Sequence, residues 1–191
     1  MKSLGVFDFV SVDGFFAGPH GEIDWFKAIS HDEQYERFMH QQSKSGSTLM
    51  FGRTTYEMMK SYWPTPGAIK SDPHMAAVMN NSPKVVFSKT LKTVEEGQNW
   101  KNVTLSRQIR HDAILELKRK SGITVLGSGS IVQQLANLGL IDEYQLVVVP
   151  LVLGSGKRLF EDVKKIDLRL EDSRAFANGI VVMTYTSRPK R

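Results

Sequence analysis

Three short segments of this sequence combine glycine, hydroxyl and basic residues directly after an apolar run. Hydroxyls, guanidinium and ammonium groups, and free backbone N–H groups all donate hydrogen bonds to phosphate oxygens. The segments therefore mark a candidate anion site. Their residues are Gly52, Arg53, Thr54 and Thr55 in the first, Ser88 and Lys89 in the second, and Gly127, Ser128, Gly129, Ser130 and Ile131 in the third.

The third segment lies within VLGSGSIVQQL, at positions 125–135. Glycine at 127 and 129 allows a sharp turn and a close backbone approach, and Ser128 or Ser130 can cap the helix that follows. The N–H groups of the first turn and the positive end of the helix would then face one point, which favours an anion. A serine-capped turn that binds nothing explains the same residues equally well.

Two familiar glycine motifs are incomplete here. The dinucleotide-binding pattern needs glycine or alanine where Val132 stands, and LVLGSGKRLF has Leu151 and Arg158 where a P-loop needs glycine and a magnesium-binding hydroxyl. Arg53 also has a plain alternative, as a surface arginine beside a threonine cap. What favours a site is the convergence of three strand ends, since ligands of open α/β sheets collect beyond the carboxyl ends of the strands.

The segment SVDGFFAGPHGEIDWF, at 11–26, offers carboxylates for acid–base chemistry. Asp13 and Asp24 flank a glycine-containing loop, and we take Asp13 as the catalytic candidate. The alternative is that Asp13 and Gly14 form an ordinary turn. Trp25 is expected to pack in the interior. The five histidines lack metal-ligand spacing and the chain has no cysteine, so we expect no metal.

Apolar runs alternate with segments of 3.6-residue periodicity, which indicates an α/β fold with helices on both faces of a sheet. Strands are predicted at 4–11, 48–52, 84–88, 103–105, 123–126, 144–153, 168–176 and 180–186, the last two as a hairpin. Helices are predicted at 32–42, 54–60, 109–120 and 131–138. The region 64–83, with four prolines, is predicted to be a loop holding a single helical turn.

Length and composition restrict the class of protein. The 191 residues, 41% of them hydrophobic, fit one domain over 1–191. No apolar run approaches the roughly 20 residues of a spanning helix, and MKSLGVFDFV lacks the features of a signal peptide, so we expect a cytoplasmic protein without a membrane partner. The net charge of +5 is scattered, the terminal RPKR is expected to be a solvated tail, and we expect no nucleic-acid partner.

The segments FGRTTYE, VVFSKT and VLGSGSIVQQL, in this order and spacing, resemble the three cofactor-contacting segments of dihydrofolate reductases. SVDGFFAGPHGEIDWF resembles the opening of the bacterial reductase domain of riboflavin biosynthesis, and GLIDEYQLVVVPLVLGSGKRLF is similar to that domain's late strand and following loop. These motifs cover most of the chain. It is identified as a stand-alone member of the dihydrofolate-reductase-like superfamily, in the group related to the C-terminal reductase domain of the bifunctional riboflavin enzyme.

This resemblance implies an NADPH-dependent reductase on a three-layer α/β/α fold, with a mostly parallel sheet and a C-terminal antiparallel hairpin, usually a homodimer. Residues 52–55 would contact the adenosine phosphates, Ser88 and Lys89 the region of the 2′-phosphate, and 127–131 the pyrophosphate. The loop at 13–24 would close over the nicotinamide. The implied reaction on a small heterocyclic substrate resembles that of 5-amino-6-(5-phosphoribosylamino)uracil reductase.

The substrate half of the family pattern is incomplete. Asp32, Glu33 and Glu36 lie near the place of the acidic residue that binds the pterin in dihydrofolate reductases, but the surrounding motif is missing. FGRTTYEMMKSYWP stands where the riboflavin reductases bind a ribose phosphate. The alternatives are a reductase of an unrelated small molecule and an NADPH-binding module without turnover that serves as a sensor.

The run YQLVVVPLVLG, at 144–154, is longer and more apolar than one strand of a small domain needs. An exposed part of it would pair with another chain, so we predict a homodimer through this region. The alternative is a central strand that helices bury on both faces.

Overall fold

The computed structural model describes residues 1–43 and 46–187, and the RPKR tail lies outside these ranges. The strands are β1 (Leu4–Ser11), β2 (Phe15–Ala17), β3 (Thr48–Gly52), β4 (Lys84–Phe87), β5 (Val103–Ser106), β6 (Ile123–Leu126), β7 (Glu143–Val149), β8 (Lys157–Arg158), β9 (Leu168–Ala175) and β10 (Val181–Ser187). The helices are α1 (Glu33–Gln42), α2 (Arg53–Tyr62), α3 (Pro66–Ser71), α4 (Pro73–Asn81), α5 (His111–Lys120) and α6 (Gly129–Asn137), with a 3₁₀ helix at Asp24–Ala28. No helix within the two described ranges is long and apolar enough to cross a membrane.

Eight strands form the central sheet, in the order β5-β4-β3-β6-β1-β7-β10-β9. The first six strands in this order, β5 through β7, are parallel to one another. The last two, β10 and β9, continue the sheet in antiparallel pairing. The predicted α/β fold, with a mostly parallel sheet and a C-terminal antiparallel hairpin, is confirmed. β2 and β8 form a separate two-stranded sheet.

Helices cover both faces of the sheet because successive side chains of each strand point to opposite faces. In β3, Leu49 and Phe51 pack with residues of α2 and α4, whereas Met50 belongs to a cluster with residues of α5 and α6. Tyr35 and Phe38 of α1 pack against β7 and β10. The result is a sheet between two layers of helices.

The prediction of a loop at 64–83 is wrong, because this region contains α3 and α4. Each helix begins with a proline directly after a capping residue: Thr65 Oγ1 accepts a hydrogen bond from the Ala68 N–H at 3.2 Å, and Asp72 accepts one from the Met75 N–H at 2.9 Å. Proline is well tolerated in the first turn of a helix, where its missing N–H would have no partner. Two of the prolines therefore start helices here.

The apolar run at 144–154 does not form a single strand. β7 ends at Val149 rather than at 153, and it lies inside the sheet, with β1 on one side and β10 on the other. After Pro150 the chain leaves the sheet, and Val152 is 70% exposed. The first part of the run is thus an interior strand, in agreement with the alternative of a central strand. Only the part after Pro150 reaches the surface.

Candidate functional site

A cavity of about 680 Å³ opens beside the carboxyl ends of β3 and β6 and the middle of β1. Its wall contains predicted phosphate-binding residues from two of the three segments: Gly52, Arg53, Thr54, Thr55, Gly127, Ser128, Gly129 and Ser130. The other described candidates lie outside this wall: Ser88, Lys89, Ile131 and Asp13. The fold thus places the first and third segments together and the second beside them, since β3 pairs with both β6 and β4.

The side chain of Ser128 joins the turn after β6 to the turn after β3. Its Oγ accepts a hydrogen bond from the Gly52 N–H at 2.7 Å and lies 2.8 Å from Thr55 Oγ1. Ser128 has a φ of 64°, in the left-handed region that residues with a side chain seldom adopt. Such a conformation costs of order 1–3 kcal/mol and is kept where the surroundings impose it, often at functional turns.

Gly52 allows the two turns to approach closely, and Gly129 allows Phe16 to pack against the start of α6. A Cβ on Gly52 would lie 2.8 Å from Ser128 Oγ, and a Cβ on Gly129 would lie 2.7 Å from Cε1 of Phe16. Real Cβ atoms do not approach other atoms so closely, so a side chain at 52 would push the two turns apart and one at 129 would displace the Phe16 ring. Gly52 and Gly129 are therefore needed for packing, whether or not a ligand binds here.

The N-termini of α2 and α6 meet the cavity without a side-chain cap in the described part of the chain. The cap predicted for Ser128 is not formed, because its hydroxyl is bound to the neighbouring turn. Neither does Ser130 cap the helix, since it lies inside the first turn of α6. In α6 the Ile131 N–H donates to the Ser128 carbonyl at 2.8 Å, so the N–H groups of Gly129 and Ser130, with those of the first turn of α2, are the ones that can meet a ligand. Both helix dipoles present their positive ends to the cavity, which is an arrangement suited to an anion.

Arg53 reaches the turn that follows β4. Its Nη1 donates a hydrogen bond to Thr90 Oγ1 at 3.2 Å, and its Nε donates to Glu57 at 2.8 Å. Ser88 Oγ accepts a hydrogen bond from the Thr90 N–H at 3.2 Å and so shapes this turn. Lys89, between them in sequence, is exposed. Arg53 and Lys89 are therefore presented to solvent from neighbouring strand ends.

Asp13 holds two loops together. Its carboxylate accepts hydrogen bonds from the Ser11 hydroxyl at 2.6 Å and from the N–H groups of Leu153 and Gly154 at 3.1 and 2.8 Å. The hydrogen bond from Ser11, with further ones from the backbone, lowers the pKa of Asp13 below its ordinary value. With a lowered pKa this carboxylate has no proton to donate near neutral pH and is a weak base, so the geometry favours the turn interpretation of Asp13 over the catalytic one.

The segment 13–24 covers one side of the cavity. β2, within this segment, pairs with β8 and so attaches the segment to the loop after β7. The Arg158 guanidinium lies 4.7 Å from the centre of the Phe15 ring and adds to this attachment. The residues of the segment that line the cavity are Phe16, Ala17, Gly21 and Ile23.

The cavity wall also contains a carboxyl that the sequence analysis missed, Asp8 of β1. The pairing of β1 with β6 ends at Phe7 and Leu126, and Asp8 follows where β1 continues alone on that side. Asp8 is 6% exposed, and its Oδ2 has no hydrogen-bond partner within residues 1–43 and 46–187. Burial raises its pKa to about 8. The available signal was a single acid in the alternating apolar strand LGVFDFVS.

Much of the remaining wall is apolar. α1, α2, α4 and the residue after α2 contribute Met39, Met58, Met59, Trp63, Met75 and Met79. Methionine side chains are flexible and polarisable, so they adapt to the shape of a bound ring. Among the described residues no three His, Asp or Glu side chains come together in a way that could hold a metal ion. The cavity therefore has an apolar end and an end whose groups are suited to an anion, which we call the anion-binding end.

One of the three acidic residues near the first helix reaches the cavity. Asp32 caps α1, and Glu33 pairs with Arg37 at 3.3 Å on the surface. Glu36 lines the cavity, and its carboxylate lies 2.6 Å from His31 Nδ1. Together with Asp8, Glu36 can meet the polar groups of a ligand.

Comparison with known sequences identifies relatives along almost the whole chain. The pattern of the RibD C-terminal domain family matches residues 3–182. The uncharacterized protein YyaP of Bacillus subtilis is 30% identical over 92% of this chain and 90% of its own length. YwjB of the same organism is 28% identical, over 90% of each chain.

Solved structures share the fold at lower identity. A putative riboflavin biosynthesis protein from Shewanella sp. PV-4 matches with a TM-score of 0.75 and 23% identity, over 98% of this chain and 100% of its own. A pyrimidine reductase-like protein from Corynebacterium diphtheriae matches with a TM-score of 0.64 and 15% identity, over 99% and 93%. With the sequence match over residues 3–182, this chain belongs to the RibD C-terminal domain family.

Proposed function

We propose that this protein is a reductase that uses NADPH to reduce a small ring compound. The observation that supports this most is the pair of uncapped helix N-termini, α2 and α6, which Ser128 holds together at the wall of one cavity. Membership of the RibD C-terminal domain family supports a reductase of the kind found in riboflavin biosynthesis. The structural relative described as pyrimidine reductase-like is in agreement.

The residues at the anion-binding end fit this cofactor. The N–H groups of the first turn of α6 can bind a pyrophosphate, and the exposed cations Arg53 and Lys89 can bind the 2′-phosphate that distinguishes NADPH from NADH. Glu57 and Thr90 orient the Arg53 guanidinium for that contact. When bound, NADPH supplies the hydride for the reduction.

The residues of this chain orient the bound molecules and exclude water from the cavity. Phe16 packs against Gly129, so the segment 13–24 closes the cavity beside the anion-binding end. The methionine-rich wall of α1, α2 and α4 forms the opposite side. A ring held between these surfaces is kept in one orientation and shielded from solvent, which favours a direct transfer between two bound molecules.

The variant Ser130→Asp tests the anion site directly. Ser130 is exposed in the first turn of α6, where an acidic residue stabilises the helix through its dipole. The same charge would repel a pyrophosphate. We expect NADPH affinity, measured by the change in cofactor fluorescence, to fall by about tenfold or more, while the melting temperature stays equal or rises.

The matched control is Gln134→Glu, which adds the same charge to an exposed position of the same helix, one turn further on. NADPH affinity should remain close to that of the wild type. Unchanged affinity in Ser130→Asp would contradict an anion site at α6. Binding of NADPH with no oxidation over a broad panel of heterocycles would instead favour a sensor module.

A further inference from the structure

The part of the cavity away from the helix N-termini is poor in cations. Among the described residues that line the cavity, Arg53 and Lys157 are the cations. Arg53 lies at the anion-binding end and is engaged by Glu57, and Lys157 lies on β8, beside the segment 13–24. Neither belongs to α1 or α4. Arg53 is the first residue of α2, and the residues by which α2 contributes to the apolar side, Met58 and Met59, lie more than one turn further along that helix.

The charged groups on the apolar side are acidic or form internal pairs. Glu36 of α1 pairs with His31, and His40 pairs with Asp72 at 3.0 Å. Glu36, His40 and Asp72 all line the cavity. A phosphate placed here would meet carboxylates and sulfur atoms instead of cations, and an anion without paired charge is strongly disfavoured at such a surface.

We propose that the substrate is an uncharged, planar and mainly apolar ring compound without a phosphate group, bound on this apolar side with a hydrogen-bond acceptor facing Asp8. That this ligand is a substrate rests on the proposed reductase function. The binding site itself stands on the cavity alone.

Asp8 supplies the hydrogen bond that selects the acceptor. Among the described residues its Oδ2 has no hydrogen-bond partner, and the residue is 6% exposed, so a ligand atom is the partner that would satisfy it. Burial keeps the carboxyl protonated up to a pKa of about 8, and a protonated carboxyl can donate. The other titratable groups lining the cavity, none of which causes this shift, are Tyr35, Glu36, His40, Arg53, Asp72 and Lys157.

A matched pair of probes tests the substrate class: quinoxaline-2-methanol and its phosphate monoester. Both carry the same planar ring with acceptor nitrogens, and they differ in the phosphate alone. We expect the alcohol to bind at least about tenfold more tightly than the ester, by calorimetry with cofactor-free protein. A tighter ester would overturn the proposal, as would an alcohol that shows no binding at about 1 mM, an affinity within reach of a ligand of this size.

The role of Asp8 is tested with quinoxaline, which has acceptors and no donor. Its affinity should fall by about tenfold between pH 6.5 and pH 9.5, since the Asp8 carboxyl loses its proton in this interval. Asp8→Asn keeps a donor at this position and should bind quinoxaline with no such dependence on pH. Naphthalene, of the same shape without acceptors, should show little dependence in the wild type.

Thermal melting at each pH shows whether the proteins are folded. A pH-independent affinity of wild-type protein for quinoxaline, or the same fall in Asp8→Asn, would overturn the assignment of Asp8. These measurements contain no NADPH. Failure of NADPH binding would therefore contradict the reductase function and leave the ring site intact, whereas failure of the probe experiments would remove the ring site and leave the cofactor site standing.

Discussion

The buried carboxyl of Asp8 makes folding stability depend on pH. Its pKa is about 8 in the folded protein, against an ordinary value of 3.8. Between these values the folded protein retains a proton that the unfolded chain has released, so the stability contribution is largest below pH 3.8 and declines as pH rises to about 8.

Asp8→Asn should remove this dependence. We expect the variant to exceed the wild type in free energy of unfolding by a few kcal/mol more at pH 8 than at pH 5, measured by urea denaturation. The exposed Asp162 offers a control, and Asp162→Asn should change stability by less than about 0.5 kcal/mol at either pH. An equal effect of Asp8→Asn at both pH values would contradict a raised pKa.

Arg53 and Lys89 are expected to give a preference for NADPH over NADH. A hydrogen bond to a charged group contributes about 1.5–3 kcal/mol, so Arg53→Ala or Lys89→Ala should weaken NADPH by roughly 10 to 150 fold and NADH scarcely at all. Titration of both cofactors at low and high salt measures this.

The exposed Lys165 is a control, since Lys165→Ala removes one positive charge elsewhere. An equal loss for NADH and NADPH in Arg53→Ala would mean that Arg53 binds the shared pyrophosphate or holds the turn. A change well under about 1 kcal/mol in both variants would mean that the two cations are solvated surface charges.

Residue types predicted one half of the site better than the other. Glycine, serine and basic residues at three strand ends carry a local signal, and the fold places two of these segments in one cavity wall. The signal of Asp8 is weaker, a single acid in an apolar strand, and its place in the cavity wall depends on where β6 ends, beside Leu126. The hydrogen bond of Ser128 could not be predicted from the sequence either, since its partner Gly52 is distant along the chain.

At the scale of elements, Asp13 connects β1 to the loop after β7. We expect Asp13→Asn to lower the melting temperature by a few degrees, because an amide offers one acceptor oxygen where the carboxylate offers two. The pKa of Asp13 is lowered, so its contribution is present above pH 3.8 and is lost as pH falls through the folded pKa. Scans at several pH values measure this.

NADPH affinity should be unchanged in Asp13→Asn, since the residue lies outside the cavity wall. Asp167→Asn, at an exposed position, is the control for loss of one negative charge. A variant with normal stability and no reductase turnover would instead support the catalytic interpretation of Asp13.

Most of the long strands and helices could be predicted, because the spacing of their apolar residues can be seen within each segment of the sequence. β1, β3 and β6 have the predicted bounds. The short strands β2 and β8 could not be predicted, because each exists only through pairing with the other. α3 and α4 are hard to predict because proline usually breaks a helix, whereas Pro66 and Pro73 stand in first turns after capping residues.

At the scale of the whole molecule, the exposed apolar residues bear on assembly. β7 has neighbours on both sides and cannot pair with a second chain. Val12 and Val152 are 63% and 70% exposed, and the Val12 N–H donates to the Leu151 carbonyl at 2.9 Å, so the two valines lie on adjoining backbone. Burial of such a surface is the physical basis for the homodimer that we propose.

Light scattering should give twice the chain mass of 21.5 kDa at micromolar concentration. Val152→Asp should shift the protein toward the mass of one chain, because association would bury an unpaired charge. Leu170→Asp, at an exposed position of the outermost strand β9, is the control and should leave the mass unchanged. A single-chain mass for the wild type would exclude the dimer.

The Ser128 hydroxyl has a consequence for internal motion. Because one oxygen contacts both Gly52 and Thr55, the turn after β3 and the turn after β6 cannot drift apart without breaking these contacts. Their fluctuations should be correlated, and their amides should exchange with solvent deuterium at similar rates. The segment 13–24 is attached through β8 instead. We therefore expect the two turns to move as one unit and the amides of the segment 13–24 to exchange at a rate of their own.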